Sequence, residues 1–225
     1  MRISLRSTPA LWLALAVVAA CAAASPAEHQ QSAQVAIAPV TRTSVTDTTP
    51  NAQRAYTAAD IQFMGGMIGH HAQAIVMSRW APTHGASPSL LVLTERIINA
   101  QQDEIVTMQQ WLRDRGQPVP DAHVAMMKMN GAQHEMLMPG MLTDAQMKEL
   151  DAACGEEFDR RFLTFMIQHH RGAVSMVGSL FGSYGAGQDE TVFKFASDVN
   201  VDQSTEIARM EKMLATLPPD RRSPS

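Results

Sequence analysis

The sequence predicts an all-α chain: a four-helix bundle built from two repeated αα-hairpins. Two internal matches and one absence lead there. Residues 60–77 and 159–176 agree at eight of eighteen positions (Asp, Phe, Met, Ile, His, His, Ala and Met) at an offset of 99. Gln101-x-x-Glu104-Ile105-x-x-Met108 returns as Gln203-x-x-Glu206-Ile207-x-x-Met210 at an offset of 102. A pattern of about 55 residues thus occurs twice, and similarity on that scale marks a duplicated structural unit. No stretch sustains a two-residue alternation with β-branched residues, so no sheet is expected.

Each repeat reads as two helices. Thr57 is a suitable N-cap with Asp60 in the first turn, and the first helix runs to about Trp80, where Pro82, His84 and Gly85 break it. Ser87 followed by Pro88 is a cap-plus-first-turn signature for a second helix that ends near Gly116 and Pro118. Thr143-x-x-Gln146 has the form of a capping box. Gly155 is placed to interrupt the helix that follows before its long stretch to about Leu180, which the Gly182, Gly185 and Gly187 cluster ends. The last helix extends from about Asp189 to Leu217 and stops at Pro218-Pro219. Short connections make each helix pair an antiparallel hairpin, and two amphipathic hairpins make a bundle.

Composition narrows the function. Of 225 residues, 45% are apolar and 18% charged, enough for one sizeable core and unlike a disordered chain. A net charge of −4, a pI near 6.0 and 5% aromatic residues give no drive toward nucleic acid. Two cysteines cannot make a disulfide scaffold. What stands out is 16 Met and 8 His.

The N-terminus reads as an export signal. Arg2 and Arg6 precede the ten-residue apolar run Leu11–Ala20, which is too short to span a bilayer, since spanning takes roughly 20 apolar residues. The run ends Val18-Ala19-Ala20-Cys21, which resembles the lipobox at which Cys21 becomes a lipidated first residue; the alternative is ordinary cleavage after Ala24. The expected organisation is a signal at 1–21, a flexible linker rich in Ala, Ser, Thr, Gln and Pro at 22–55, the bundle at 56–217, and a tail at 218–225. Within the bundle, repeat 1 covers 57–116, a Met-rich connector 117–141, and repeat 2 142–217. The expected location is the periplasm or cell envelope, with contact to the membrane only through a lipid anchor.

At about 100° per residue, Met67 has Asp60, Phe63, Met64, His70, His71, Ala74 and Met77 on its side of the first helix. Met166 similarly collects Asp159, Phe162, His169, His170, Ala173 and Met176. Adjacent histidines diverge by about 100°, so each pair straddles the centre line and both rings reach an interhelical space from opposite sides. Gln101 and Glu104 on the second helix, and Gln203 and Glu206 on the fourth, share otherwise apolar faces and need hydrogen-bond partners or a metal there. The inward methionines read from the residues alone as core filling. Four imidazoles entering one small core need acceptors or a cation, and Glu104 and Glu206, with Gln101 and Gln203, are placed to orient them.

The connector carries a second signal. Residues 126–141 hold Met126, Met127, Met129, Met136, Met138 and Met141 together with His134. Asn130-Gly131 and Pro139-Gly140 interrupt helical continuity there. The plain structural role is an apolar loop across the bundle; the chemical one is a soft-ligand site, because thioether sulfur favours Cu(I) and imidazole suits copper and zinc. Outside the cytoplasm this inventory points to copper, with silver as its mimic. Imidazoles bind metal only when neutral, so a reference pKa of about 6.5 predicts weaker binding as pH falls through roughly 6 to 5.

The pattern F-x-x-x-M-I-x-H-H-x-x-A-x-x-M at Phe63–Met77 and Phe162–Met176, the Q-x-x-E-I-x-x-M helices, and Met138-Pro139-Gly140-Met141 together resemble the DUF305 family, over about residues 57–217. The resemblance implies a ferritin-like four-helix bundle and, through CopM-like periplasmic members, copper binding and copper tolerance. It carries over His70, His71, His169, His170, Met67, Met77, Met166 and Met176 as candidate ligands. Met64 is matched by Leu163, which denies it a symmetric role. The function expected is a non-enzymatic, envelope metal-binding protein whose partners are metal ions and copper-handling proteins of the envelope. The alternatives are a redox or di-iron enzyme, for which no Glu-x-x-His exists at the histidine pairs, and a structural module without metal.

Overall fold

The computed structural model describes residues 56–122 and 137–218, all within one unit, Thr48–Ser225. The signal segment with Cys21, the linker, Met126, Met127, Met129, His134 and Met136, and residues 219–225 of the tail lie outside the described residues. Five helices are present and no strand is found among the described residues: α1 (Ala58–Trp80), α2 (Pro88–Asp114), α3 (Asp144–Asp151), α4 (Glu156–Gly182) and α5 (Glu190–Thr216). The four long helices form the bundle and α3 is an added short one.

Local chemistry sets the boundaries. Thr57 and Asp60 make a reciprocal capping box on α1, as Thr143 and Gln146 do on α3. Ser87 caps α2 with Pro88 in its first turn. Asp189 caps α5 by accepting from the Thr191 and Val192 N–H groups. Gly155 separates α3 from α4 at φ 61°, a left-handed conformation that a side chain disfavours. Cys154, just before it, is exposed and unbonded.

The packing is hairpin within hairpin. α1 lies on α2 and α4 on α5, while α1 and α4 meet across the middle and α3 touches both. Two carboxylates fix the antiparallel docking of α1 and α4. Asp60, at the start of α1, accepts the Gly187 N–H at 2.7 Å, just beyond the end of α4. Its repeat mate Asp159, at the start of α4, accepts the Ser87 N–H at 3.1 Å, just beyond the end of α1. Each hairpin thus holds the other's turn, and both carboxylates are buried. The core falls into two clusters, one around Phe63, Met67, Met108 and Val199, the other around Met77, Ile97, Phe162 and Met166. The histidine pairs lie between them along α1 and α4.

α1 is buried well beyond the single face expected: Ile68, Ala72, Gln73 and Ile75 are covered too. Ile68 and Ile75 pack in the first core cluster, and the end of the connector covers Gln73. Gln73 donates to the Leu142 carbonyl at 2.9 Å and accepts its N–H at 2.7 Å. At the position equivalent to Gln73, α4 has Gly172, and a Cβ there would stand 1.9 Å from the Pro139 carbonyl oxygen. One repeat binds the strap with an amide and the other makes room for it by having no side chain.

Gly172→Ala is therefore expected to cost about 1–3 kcal/mol through overpacking. Gly178→Ala in the same helix, where nothing lies within 4 Å, should stabilise by up to about 1 kcal/mol through helix propensity. Urea unfolding of the two variants checks this, and equal effects would contradict the strap contact.

Candidate metal centre

His70 and His71 on α1 and His169 and His170 on α4 are all fully buried. The His70 and His169 rings meet at the centre of the bundle, 3.8 Å between centroids and 41° between planes. Within each pair the rings are 6.4 Å and 6.2 Å apart, as divergence on a helix requires. Both members of each pair are inward, from opposite sides.

Acceptors fix the tautomers of His70 and His170, and a carboxylate faces His71. His70 Nε2 lies 3.0 Å from the Pro139 carbonyl oxygen. A carbonyl only accepts, so Nε2 carries the proton and Nδ1 keeps its lone pair. His170 Nε2 donates to Glu206 Oε2 at 2.7 Å. His71 Nε2 is also 2.7 Å from Glu104 Oε2, but its N–H is not aligned for a hydrogen bond. Among the described residues, the Nδ1 atoms of His70, His71 and His170, and both ring nitrogens of His169, are buried without a hydrogen-bond partner. The same holds for the side-chain oxygens of Gln101 and Gln203. An unpartnered buried polar group costs about 1–3 kcal/mol, so this concentration of orphaned lone pairs suits a cation.

The other expected residues fall into three places. Met67 and Met166, one turn before the histidines on the same faces, are fully buried, as is Met77, which packs in the second cluster. Met138 lies over α1: a Cβ on Gly66 would be 2.9 Å from its Sδ and 3.7 Å from Met176 Cε. These two thioethers line a cleft of about 560 Å³ with Phe63, Gly65, Gly66 and Pro139. Repeat 2 has Thr164 and Phe165 where repeat 1 has Gly65 and Gly66, so the glycines that line this cleft are not repeated. Met141 is half-buried in the strap. Among the described residues no three His, Cys, Asp or Glu side chains are arranged around one point as a metal cage; the nitrogen donors come in pairs, with sulfur nearby.

Burial drives His70 down from 6.5 to about 3, helped by the charge of His71 and opposed by its bond to Pro139. His169 is held well below the usual value by burial first and then by its three neighbouring histidines. The His70 carbonyl opposes this slightly without completing a hydrogen bond to His169. The loss of binding expected between pH 6 and 5 therefore does not apply to these two rings, which stay neutral to lower pH. The Pro139 carbonyl, Gln73 and the docking role of Asp60 and Asp159 were not anticipated. The repeated Asp was the one signal for the last; a backbone carbonyl has no sequence signature.

Fold and site together define a duplicated four-helix bundle with a histidine and methionine interior. The chain belongs to the DUF305 family, a domain of unknown function, whose pattern matches residues 60–214. The uncharacterized protein L153 of Acanthamoeba polyphaga mimivirus is 41% identical over 56 residues, a stretch that is 25% of this chain and 37% of that protein. A DUF305 fragment from Deinococcus radiodurans is 28% identical at TM-score 0.61, covering 72% of this chain and 99% of that one. A DUF305 protein of Streptomyces coelicolor described as secreted is 29% identical at TM-score 0.58, covering 70% and 92%. CopM in its Cu(II)-bound form is 30% identical at TM-score 0.55, covering 69% and 95%, and it has also been solved with Cu(I) and with Ag.

His70 and His169 are neutral when folded, while the unfolded chain takes up protons below about pH 6.5. Stability of the metal-free protein is therefore present above that pH and is lost as pH falls toward the folded values, by about 1.4 kcal/mol per unit for each such ring. Urea unfolding at pH 7, 6 and 5 should show this slope, and His169→Leu should make it shallower. A wild-type stability that does not change over this range would contradict the burial argument.

Proposed function

We propose that this protein is a non-enzymatic metal-binding protein of the cell envelope that binds copper for copper tolerance or trafficking. The observation that carries the reading is the set of buried imidazole lone pairs at His70, His71, His169 and His170 that no donor among the described residues satisfies. Their Nε2 atoms face Pro139, Glu104 and Glu206, which leaves Nδ1 as the metal-facing nitrogen in three rings. Met67 and Met166 supply thioethers from the adjacent turn, and Met138 and Met176 supply a second pair in the cleft. Sulfur and imidazole suit Cu(I) and its mimic Ag(I), and imidazole alone suits Cu(II). CopM, a structural relative bound to Cu(II), Cu(I) and Ag, supports the choice of copper. Glu104 and Glu206 contact outer ring nitrogens and orient the imidazoles, in contrast to the Glu-x-x-His arrangement of di-iron enzymes.

Export belongs to the same reading. It rests on the ten-residue apolar run ending at Cys21 and on the secreted Streptomyces relative; no described helix is long and apolar enough to cross a membrane. Cys21→Ser should release the protein from the membrane fraction, and a wild-type protein already soluble with Ser25 at its N-terminus would refute the anchor.

Competition titrations with chelators of known affinity test the metal. Replacing His70, His71, His169 and His170 together by Gln should abolish most Cu(II) binding and leave a methionine-based Cu(I) remainder. Circular dichroism on the same variant reports whether it remains helical. Undiminished Cu(II) affinity in a folded quadruple variant would end the ligand reading.

A further inference from the structure

The α2–α5 side of the bundle gathers carboxylates. Glu104 comes from α2, and Asp198, Asp202 and Glu206 from α5. The Asp202 carboxyl is held above its usual range, by partial burial first and then by the charges of Glu104, Asp198 and Glu206. Lys194 opposes this, but it is already ion-paired with Asp198. Three carboxylates from two helices therefore stand in one another's field.

Two of them also bridge water and the interior. The side chains of Glu104 and Glu206 are 21% and 20% exposed, while the histidines they approach at 2.7 Å are fully buried. His71 Nε2 points toward Glu104 without a completed hydrogen bond. One turn earlier on the same helix faces, the 97%-buried side chains of Gln101 and Gln203 have unpartnered oxygens. This face thus leads from exposed carboxylates to buried, unpartnered oxygen and nitrogen atoms.

We propose that Glu104, Asp202 and Glu206 form the port by which hydrated divalent cations reach the buried histidines. The inference rests on the reading that those histidines bind metal. A concentrated negative potential raises the local concentration of cations and speeds their capture, and salt weakens the effect. Carboxylate oxygens hold a divalent ion without stripping all its water, and the same Glu104 or Glu206 side chain already touches an imidazole. The cleft beside Met138 and Met176 offers thioethers and apolar surface, a poor match for a hydrated divalent ion.

Asp202→Asn removes charge from the port without touching a histidine. Glu95→Gln makes the same charge change nine residues from Glu104 on α2, about 14 Å along the helix. In the full chain, Mn(II) as a hydrated divalent probe should first broaden the amide NMR signals around residues 104, 202 and 206, and less so in Asp202→Asn. Stopped-flow mixing with Cu(II) at low ionic strength should show association about 3- to 10-fold slower in Asp202→Asn, with a weaker salt dependence, and little change in Glu95→Gln. Equal Cu(II) rates in the two variants, or Mn(II) broadening centred elsewhere, would overturn the port alone. Mn(II) collecting on this face while Cu(II) never perturbs the histidines of the wild-type chain would overturn the histidine-metal reading, and the port with it.

Discussion

Four imidazoles buried between two antiparallel helices are the constraint on which the rest depends. An imidazole has two nitrogens of opposite character when neutral, and burial drives His70 and His169 toward that neutral form. The bundle answers for one nitrogen of two rings, through the Pro139 carbonyl and Glu206, and sets Glu104 beside a third. Among the described residues it leaves the remaining nitrogens without hydrogen-bond partners. Hydrogen bonding that stops halfway on both repeats is costly for a core whose only task is to be stable. It is what a site for a soft or borderline cation requires.

Duplication explains how the two halves come to face each other. Asp60 and Asp159 each hold the turn of the opposite hairpin, so α1 and α4 dock antiparallel with their histidines at the same level. The symmetry is then broken where the connector crosses. Gln73 binds it, Gly172 gives way to it, and Gly65–Gly66 line a cleft beside it where the second repeat has Thr164–Phe165. The result is a bundle with two chemically different sides: thioethers and a backbone carbonyl on the strap side, carboxylates on the side of α2 and α5. Asp189 secures a further junction, taking hydrogen bonds from Trp111 and Arg115 on and just beyond α2.

Much of this was legible in the sequence because caps and breaks are local chemistry. Thr57, Ser87–Pro88, Thr143–Gln146 and Gly155 mark helix ends by the hydrogen bonds or dihedral angles they permit, whatever lies around them. The histidine pairs were legible because they occur twice at matching positions, and their inward direction follows from helical period. Three features were not. The burial of Gln73 depends on a strap that is distant in sequence, so a helical wheel gave one face of α1 where the structure buries more of the circumference. The acceptor for His70 is a main-chain carbonyl, which no residue type encodes. The low pKa of His70 and His169 follows from depth of burial and from neighbouring imidazoles, which appear only once both repeats are folded together.

The claim at the centre is that the metal-free bundle holds His70, His71 and His170 with the proton on Nε2 and the lone pair on Nδ1. Long-range proton–nitrogen NMR of the histidine side chains, recorded without metal and after addition of Ag(I), tests it directly. The account predicts the Nε2–H tautomer for these three rings and an Ag(I)-induced shift concentrated on their Nδ1 atoms. Nδ1–H tautomers in the free protein, or ring nitrogens unmoved by Ag(I), would contradict it.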